Sequence, residues 1–325
     1  MRPFPGTSAA DFKTTLKAGC FVLTAEVKPP VSCDPEDLLK DALPLKHVAD
    51  AVNVTDGAGA RVHLGALAAA HILAENGIEP ILQLTCRDRN RLALQSDLLA
   101  AAALGLENLL ILRGDDPTAG DQPDAKPVFD MDSRSLLETA CKLRDFGTLP
   151  TGRAVSGKVR FFLGAVDTPI DPPAGWSPRA LLDKIAAGAE FIQTQFCLDI
   201  PLLRRYLTRL AEHGVPDQVA IMVGLTPLRS ARSAIWMRNH LPGTLIPDAL
   251  ITRLERADDS EEEGKRICID LLEELAQIPR IAGAHIMAPG NEHAVPEVIA
   301  QFRSIALEPR AVRDTCSDPA SEAVR

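Results

Sequence analysis

The chain contains 325 residues, of which 46% are hydrophobic and 24% charged, and its formal net charge at pH 7 is −9. Because nucleic-acid binding depends on clustered Lys and Arg, this acidic balance disfavours a nucleic-acid partner. The apolar stretches end well before the ~20 residues that a membrane span needs, and residues 1–19 lack the apolar segment of a signal peptide. We therefore expect a cytoplasmic protein whose partner is a small molecule, with no membrane contact.

The cysteines and histidines do not follow the spacing of a metal site. The seven cysteines are scattered and contain no CxxC pair, which is typical of reduced packing residues. His63 and His71 are eight residues apart, or about two helical turns, whereas ligands on one helix face lie about one turn apart. We predict that no metal is bound.

Short apolar runs, typical of buried strands, alternate with longer helical patterns along the chain. In chain order we predict strand 21–27, helix 34–46, strand 51–55, helix 63–76, strand 80–85, helix 90–104, strand 108–113, helix 134–146, strand 159–166, helix 178–188, strand 191–196, helix 200–214, strand 218–224, helix 261–277 and strand 281–287. Eight strands that alternate with helices favour an α/β fold of the (β/α)8 TIM-barrel type. An open doubly wound sheet is the alternative, although no GxGxxG motif follows the first strand.

Two segments fall outside this alternation. Residues 114–133 follow the fourth strand and are rich in Asp, Pro and Gly, and a loop of this length in a compact domain is usually functional or disordered. Residues 307–325 are polar and aperiodic. We therefore predict a single barrel domain over residues 1–306, followed by a mobile tail over 307–325.

Polar residues recur where the predicted strands end. In chain order they are Glu26, Lys28, Thr55, Asp56, Gln83, Thr85, Arg113, Asp115, Asp167, Thr194, Gln195, Thr226 and His285. The carboxyl ends of barrel strands meet at one rim, and barrel enzymes carry their active residues there. The sequence therefore predicts the functional site at this rim.

Two positions on the rim suggest chemistry. Glu26 lies in an otherwise apolar strand, where desolvation would raise its pKa and suit it to proton donation; the alternative is a structural ion pair with Lys28 or Arg113. His285 is a candidate acid or base, but a single histidine at the end of a buried strand is more often a hydrogen-bonded core residue.

The segment LRGDDP, residues 112–117, is a second candidate. Gly114 permits close approach of the backbone to a ligand, Arg113 can hold a phosphate, and Asp115 can accept a hydrogen bond from a heterocycle. The alternative is an ordinary turn, because Asp, Gly and Pro often cluster in turns.

Six segments together resemble the methylenetetrahydrofolate reductase family. They are AEVKPP (25–30), NVTDGA (53–58), QLTCRDRN (83–90), ILRGD (111–115), AGAEFIQTQ (187–195) and GLTPLRS (224–230). Their order and spacing match over about residues 15–305. The resemblance implies an FAD-containing barrel that interconverts 5,10-methylenetetrahydrofolate and 5-methyltetrahydrofolate by hydride transfer in one-carbon and methionine metabolism. It also implies tetrahydrofolate derivatives and NADH or NADPH as partners, and a homo-oligomer.

The resemblance also assigns roles to individual residues. Glu26 matches the catalytic acid, and Asp115 matches a catalytic carboxylate that also contacts flavin and folate. Cofactor contacts are implied for Thr55, Asp56, Ala58, Gln83, Arg113, Gly114, Asp115, Phe129 and Lys184, with the two cations near the diphosphate. Substrate contacts are implied for Asp115, Gln195, Ser233 and Met237.

Several flavin positions depart from the family pattern. Gln83 stands where a histidine is usual, Phe129 where a tyrosine is common and Asp56 where an aromatic residue often lies, and residues 164–171 lack the usual tyrosine or asparagine. These departures predict weaker FAD binding. They also leave a second hypothesis open, namely a folate-binding barrel that acts as a methyl-transfer module or as a subunit of an electron-transfer complex with a donor other than NAD(P)H. Retention of Glu26 and Asp115 favours the enzyme.

Overall fold

A computed structural model describes residues 11–307 of the chain as a closed barrel of eight parallel strands. The strands β1 to β8 are Val22–Val27, Ala51–Val54, Pro80–Thr85, Asn108–Leu112, Phe162–Asp167, Phe191–Phe196, Ala220–Leu225 and Ile281–Ile286. Each strand pairs with the next along the chain, and β8 pairs with β1. This closure confirms the predicted (β/α)8 barrel and excludes the open sheet.

Eleven α-helices accompany the strands within residues 11–307. The helices α1 to α11 are Phe12–Lys17, Pro35–Ala42, Ala66–Glu75, Arg91–Ala103, Ser133–Phe146, Arg179–Ala186, Ile200–Glu212, Ala231–His240, Asp248–Glu255, Ser260–Leu275 and Ala294–Leu307. The seven predicted helical patterns correspond to α2 to α7 and α10. Six helices begin after an Asp or Asn whose side chain accepts hydrogen bonds from the first turn, namely α1, α2, α4, α5, α7 and α10.

The interior of the barrel changes from apolar to polar along the strands. Its amino end is filled by one apolar side chain from each strand and closed by Phe12 and Leu16 of α1. The ring of Phe12 packs edge-on against Phe162 and Phe191, at centroid distances of 5.8 and 5.4 Å. Successive residues on one face of a strand are two apart, and the next inward positions on β1, β2, β3 and β6 are Thr24, Asn53, Gln83 and Gln193. A site that needs polar groups is therefore confined to the carboxyl end.

Some element boundaries differ from those predicted. The helix predicted over 34–46 ends at Ala42, and a short 3-10 helix, Leu43–Leu45, follows it. Pro44 explains this break, because proline has no backbone N–H to continue the α-helical pattern. The fifth strand begins at Phe162 rather than at residue 159.

The chain end is described only in part. Leu307, the first residue of the predicted tail, ends α11, and residues 308–325 lie outside the described residues. None of the helices within residues 11–307 combines the length and apolar character that crossing a bilayer requires.

Candidate active site

A cavity of about 420 Å³ opens at the carboxyl ends of the strands, which is within the range of about 300–1,000 Å³ found for ligand pockets. The family resemblance assigned a role to thirteen residues, and nine of them line this cavity, namely Glu26, Thr55, Asp56, Ala58, Gln83, Arg113, Gly114, Asp115 and Gln195. The four that do not line it are Phe129, Lys184, Ser233 and Met237. The rim that the sequence identified is therefore a concave site.

Glu26 reaches the cavity from the end of β1. Its Oε2 accepts a hydrogen bond from Nε2 of Gln83 at 3.2 Å and lies 3.8 Å from Nε2 of His285. Its side chain is 26% exposed, so the carboxyl group is less desolvated than its apolar strand suggested. Among the described residues, neither Lys28 nor Arg113 forms an ion pair with Glu26, so the alternative of a structural pair with these cations does not hold.

His285 is buried directly behind Glu26. Its residue exposure is 3%, and its Nδ1 lies 3.0 Å from the hydroxyl oxygen of Thr24. This is the hydrogen-bonded buried position that the sequence analysis favoured. On the opposite edge of the same ring, Nε2 lies near the carboxylate of Glu26.

Asp115 lies on the loop after β4 and contacts the turn after β2. Its Oδ2 accepts a hydrogen bond from the backbone N–H of Gly59 at 2.9 Å. Gly57 and Gly59 both have φ of +63°, a left-handed conformation that glycine adopts without steric cost. The glycines therefore allow the tight turn that carries Ala58 into the cavity.

Arg87 is a buried cation that the sequence analysis did not single out. Its side chain is 4% exposed and forms two hydrogen bonds of 2.7 Å with Asp88, which raise the pKa of the guanidinium. It also donates to the backbone oxygens of Gly57 at 3.2 Å and Asp115 at 3.4 Å. Arg87 thus connects the two loops that line the cavity. It lies in the QLTCRDRN segment, but two residues beyond the strand end at Thr85.

Asp56, just after β2, stabilises the loop that follows β3. Its Oδ2 accepts from the backbone N–H of Thr85 at 2.8 Å, from the Thr85 hydroxyl at 2.9 Å, and from Nη2 of Arg89. Arg89 also donates to Asp97 on α4 at 2.8 Å. The carboxylate of Asp56 therefore holds the β3 loop, in addition to lining the cavity.

Arg113 is exposed on the rim, and its guanidinium lies over the ring of Phe129 at 4.8 Å from the centroid. Phe129 has φ of +40°, which is uncommon for a residue with a side chain. The next residue, Asp130, accepts hydrogen bonds from the backbone N–H, Nε and Nη2 of Arg91 at 2.9, 2.8 and 2.7 Å. Phe129 therefore contacts the site through Arg113, from a loop that α4 anchors.

Lys184 lies on α6, and Gln195 lies near the end of β6. Nζ of Lys184 donates to the backbone oxygen of Val166 at 2.6 Å, where β5 ends. Oε1 of Gln195 accepts from the backbone N–H of Phe196 at 3.0 Å, and its Nε2 donates to the backbone oxygen of Pro242 at 3.4 Å. The backbone thus restrains both side chains.

Ser233 and Met237 lie on α8 and do not line the cavity. Ser233 forms a capping box with Ser230, with backbone-to-hydroxyl distances of 3.0 and 3.1 Å, and Met237 is 6% exposed in the core. Trp236 on the same helix is 52% exposed and lines a second cavity of about 510 Å³. This second cavity shares Glu26 and Ala58 with the first. The sequence does not identify Trp236 as a site residue, because nothing in the helical pattern distinguishes it from its neighbour Met237.

The first cavity has features that fit a bound organic cofactor. Oγ1 of Thr55 is buried and has no hydrogen-bond partner within residues 11–307. A Cβ at Gly114 would lie 3.0 Å from Cβ of Arg87 and 3.1 Å from Cβ of Thr85, so glycine keeps the backbone at the cavity wall. The exposed guanidinium of Arg113 suits a phosphate. Within the described part of the chain, no group of three or more His, Cys, Asp or Glu is arranged to hold a metal ion.

Comparison with known proteins places these features in a family. Two curated relatives are each 24% identical over 74% of this chain, namely a probable methylenetetrahydrofolate reductase (NADPH) of Caenorhabditis elegans and methylenetetrahydrofolate reductase 2 of Schizosaccharomyces pombe. The matched region covers 34% and 38% of these relatives, so this chain spans little more than a third of their length.

A solved structure supports the fold. An uncharacterized protein from Clostridium thermocellum, described as binding two copies of 5-methyl-5,6,7,8-tetrahydrofolic acid, superimposes with a TM-score of 0.60 at 15% identity, covering 90% of this chain and 98% of that chain. The sequence profile described as "Methylenetetrahydrofolate reductase" matches residues 11–303. Because this match extends over most of the chain, the chain belongs to the methylenetetrahydrofolate reductase family.

Proposed function

We propose that the chain is a flavin-dependent oxidoreductase that interconverts 5,10-methylenetetrahydrofolate and 5-methyltetrahydrofolate. The observation that carries the proposal is the position of Glu26, a partly exposed carboxyl group at the junction of two cavities. Reduction of the methylene compound requires both a hydride and a proton, and a positioned carboxyl group can supply the proton. Family membership and the folate named in the Clostridium thermocellum structure support the substrate class.

Glu26 would donate the proton through one particular oxygen. Its Oε2 is occupied by the amide of Gln83 and faces His285. The other oxygen, Oε1, is therefore the one available to a substrate nitrogen. Asp115, on the opposite loop, would contact the flavin and the pterin, where its negative charge favours electron-poor intermediates of the substrate.

We infer that the cofactor is FAD, which when bound supplies the hydride carrier between a nicotinamide and the folate. Thr55, Ala58, Gln83, Gly114 and Asp115 would surround its ring system, as lining residues of the first cavity. Asp56 would act on this site mainly through the loop that it braces. Arg113 and Lys184 would meet its diphosphate, and Phe129 would act through the Arg113 guanidinium that it supports.

The affinity for FAD should be modest. Gln83 and Asp56 depart from the family pattern, and both already make hydrogen bonds within the protein. A lost neutral hydrogen bond costs about 0.5–1.5 kcal/mol, so two such losses correspond to a decrease in affinity of about tenfold or more. We expect that FAD binds, but loosely.

The two cavities together provide room for an extended substrate. The folate would lie across Glu26 and Ala58, the residues that both cavities share. Gln195 would contact the folate directly. Ser233, through its capping box, and Met237, through its burial in the core, would position α8, whose Trp236 lines the second cavity. NADH or NADPH would be the electron donor. We expect a cytoplasmic homo-oligomer that acts in one-carbon and methionine metabolism.

Anaerobic half-reactions test the proposal. When the protein is supplied with FAD, NADH or NADPH should reduce the bound flavin and bleach its absorbance. Addition of 5,10-methylenetetrahydrofolate should then reoxidise the flavin. Glu26→Gln should keep the nicotinamide half-reaction and lose the folate half-reaction, because only the latter needs the proton. Glu274→Gln, an exposed carboxylate on α10, is the matched control and should leave both half-reactions unchanged.

The same measurements distinguish the second hypothesis. If folate binds but no flavin is bound or reduced, the chain is a methyl-transfer module or a subunit that takes electrons from a donor other than NAD(P)H. Equal loss of both half-reactions in Glu26→Gln would contradict the role of Glu26 as the acid.

A further inference from the structure

The barrel interior behind Glu26 holds a connected set of buried polar side chains. Asn53 and Gln193 face each other from β2 and β6 and exchange two hydrogen bonds, of 2.7 and 3.1 Å. Nε2 of Gln193 also lies 3.2 Å from Oγ1 of Thr24, which in turn lies 3.0 Å from Nδ1 of His285. All four residues are at most 3% exposed, and Gln193 and His285 also line the first cavity.

The directions of these hydrogen bonds favour one tautomer of His285, because Nδ1 of His285 is the acceptor left for the Thr24 hydroxyl. The amide nitrogen of Gln193 carries two hydrogens, and the two acceptors are Oδ1 of Asn53 and Oγ1 of Thr24. The single hydroxyl hydrogen of Thr24 is then directed at Nδ1 of His285. A ring nitrogen that accepts a hydrogen bond carries no proton, so the neutral imidazole carries its proton on Nε2.

The protonated nitrogen faces the carboxyl group of Glu26. Nε2 of His285 lies 3.8 Å from Oε2 of Glu26, and the amide of Gln83 donates to the same oxygen at 3.2 Å. Oε2 therefore accepts the hydrogen bond from Gln83 and is also the Glu26 oxygen next to Nε2 of His285, at a distance longer than a hydrogen bond. Because N–H donors stabilise negative charge, they favour the charge of the carboxylate on Oε2. When the carboxyl group is protonated, the proton is therefore favoured on Oε1.

We propose that His285 is a positioning residue, held by Thr24 and Gln193 as the Nε2–H tautomer, that assigns the transferable proton of Glu26 to Oε1. In the transfer, the O–H bond at Oε1 breaks, an N–H bond forms on the substrate, and the electron pair remains on the carboxylate. The catalytic part of this inference rests on the proposed function. The tautomer itself does not, because it follows from the hydrogen bonds of the free protein.

A second arrangement of the hydrogens in this set would give the other tautomer of His285. If the amides of Asn53 and Gln193 were both reversed, Thr24 would donate to Gln193, and Nδ1–H of His285 would donate to Thr24. The lone pair of Nε2 would then face Glu26. The two arrangements differ in which ring nitrogen of His285 carries hydrogen.

NMR of the full chain labelled with 15N-histidine measures this difference directly. At a pH where the ring is neutral, the His285 signals, assigned by their absence in His285→Gln, should show a protonated Nε2 and an unprotonated Nδ1. A protonated Nδ1 would overturn the proposal. This measurement needs neither flavin nor folate, so its outcome is separate from that of the half-reactions.

Variants at Thr24 test the connection to Glu26. Thr24→Val removes the hydroxyl with little change in volume and should abolish the tautomer preference. It should also slow the folate half-reaction about tenfold, with FAD reduction and the KM for folate unchanged. Thr24→Ser should restore both, and Thr208→Val on the surface of α7 should change neither. An unchanged tautomer and folate half-reaction in folded Thr24→Val would overturn the role of the hydroxyl.

Discussion

The guanidinium of Arg113 stacks over the ring of Phe129, with 4.8 Å between its central carbon and the ring centroid. The two residues come from opposite ends of the loop that follows β4. The loop is therefore restrained at the point where a cation is presented to the cavity. Position 129, where a tyrosine is common in the family, is a phenylalanine here. The aromatic ring is therefore retained and only the hydroxyl is absent.

Replacing the ring should weaken the binding of FAD. Phe129→Leu removes the cation–π contact, which is worth about 0.5–1 kcal/mol at an exposed site, and should raise the Kd for FAD about two- to fivefold. Flavin fluorescence titration measures this change. Phe129→Tyr should bind as the parent does, and Phe146→Ala, which removes an exposed ring on α5, serves as the control. An unchanged Kd in Phe129→Leu would mean that the contact does not support Arg113.

The anchor of this loop should be insensitive to pH over the neutral range. Hydrogen bonds from the Arg91 side chain and backbone lower the pKa of Asp130 to about 2. The stabilising effect of a lowered carboxyl pKa is present above the ordinary value of about 4 and is lost as the pH falls towards 2. Titration of Asp130 should therefore not alter the affinity for FAD between pH 8 and pH 5.

Asp130→Asn provides the test of that anchor. It should loosen the loop and increase its proteolytic cleavage while the far-UV circular dichroism of the barrel stays the same. Asp124→Asn, an exposed substitution in the same loop, is the matched control. Equal cleavage of the two variants would show that Arg91 and Asp130 do not anchor the loop.

Gly114→Ala should destabilise the fold at the cavity wall. Gly114 has φ of +92°, and an added Cβ would lie 3.0 Å from Arg87. Gly105→Ala is a matched control, because Gly105 also has a positive φ, of +72°, but a Cβ there would meet no atom within 4 Å. Both variants carry the backbone cost of about 1–2 kcal/mol, and only Gly114→Ala adds overpacking of about 1–3 kcal/mol. Urea unfolding should show this difference, and equal free energies of unfolding would contradict it.

The sequence predicted the barrel because strands buried on both faces and capped helices are local patterns. It also predicted the rim, since the carboxyl ends of parallel strands must meet. Arg87 and Trp236 could not be predicted in the same way. Arg87 lies beyond a strand end, and its burial results from contacts with Gly57 and Asp115 that are distant in the chain.

The tautomer of His285 illustrates the same limit. Its partner Thr24, and Gln193, which bonds to Thr24, are separated from it by 261 and 92 residues along the chain and meet only inside the closed barrel. Periodicity shows that each residue faces inwards. It does not show which inward residues share hydrogens, because that depends on the register and stagger of the strands.

Tyr206, the only tyrosine of the chain, should remain protonated for as long as the protein is folded. It is 2% exposed on α7, and its hydroxyl donates to Asp167, which lines the cavity at the end of β5. Burial raises the pKa of Tyr206 well above its ordinary value of 10, and the neighbouring carboxylate raises it further. We therefore expect the phenol to keep its proton at pH values near 10 while the barrel is folded.

This raised pKa makes stability depend on pH in the alkaline range. A raised phenol pKa leaves stability intact below the ordinary value of about 10 and reduces it as the pH rises, because the unfolded chain alone loses the proton. Tyrosinate absorbance should therefore appear together with unfolding and not before it. Tyr206→Phe should remove the part of this alkaline dependence that the phenol contributes, whereas the buried thiols of Cys86, Cys197 and Cys268, whose pKa values burial also raises, keep their own part. The substitution should cost about 1–3 kcal/mol at neutral pH, because Asp167 loses its donor. Asp167→Asn should reduce that cost in a double-mutant cycle, whereas tyrosinate formation in the folded protein near pH 10 would contradict the buried contact.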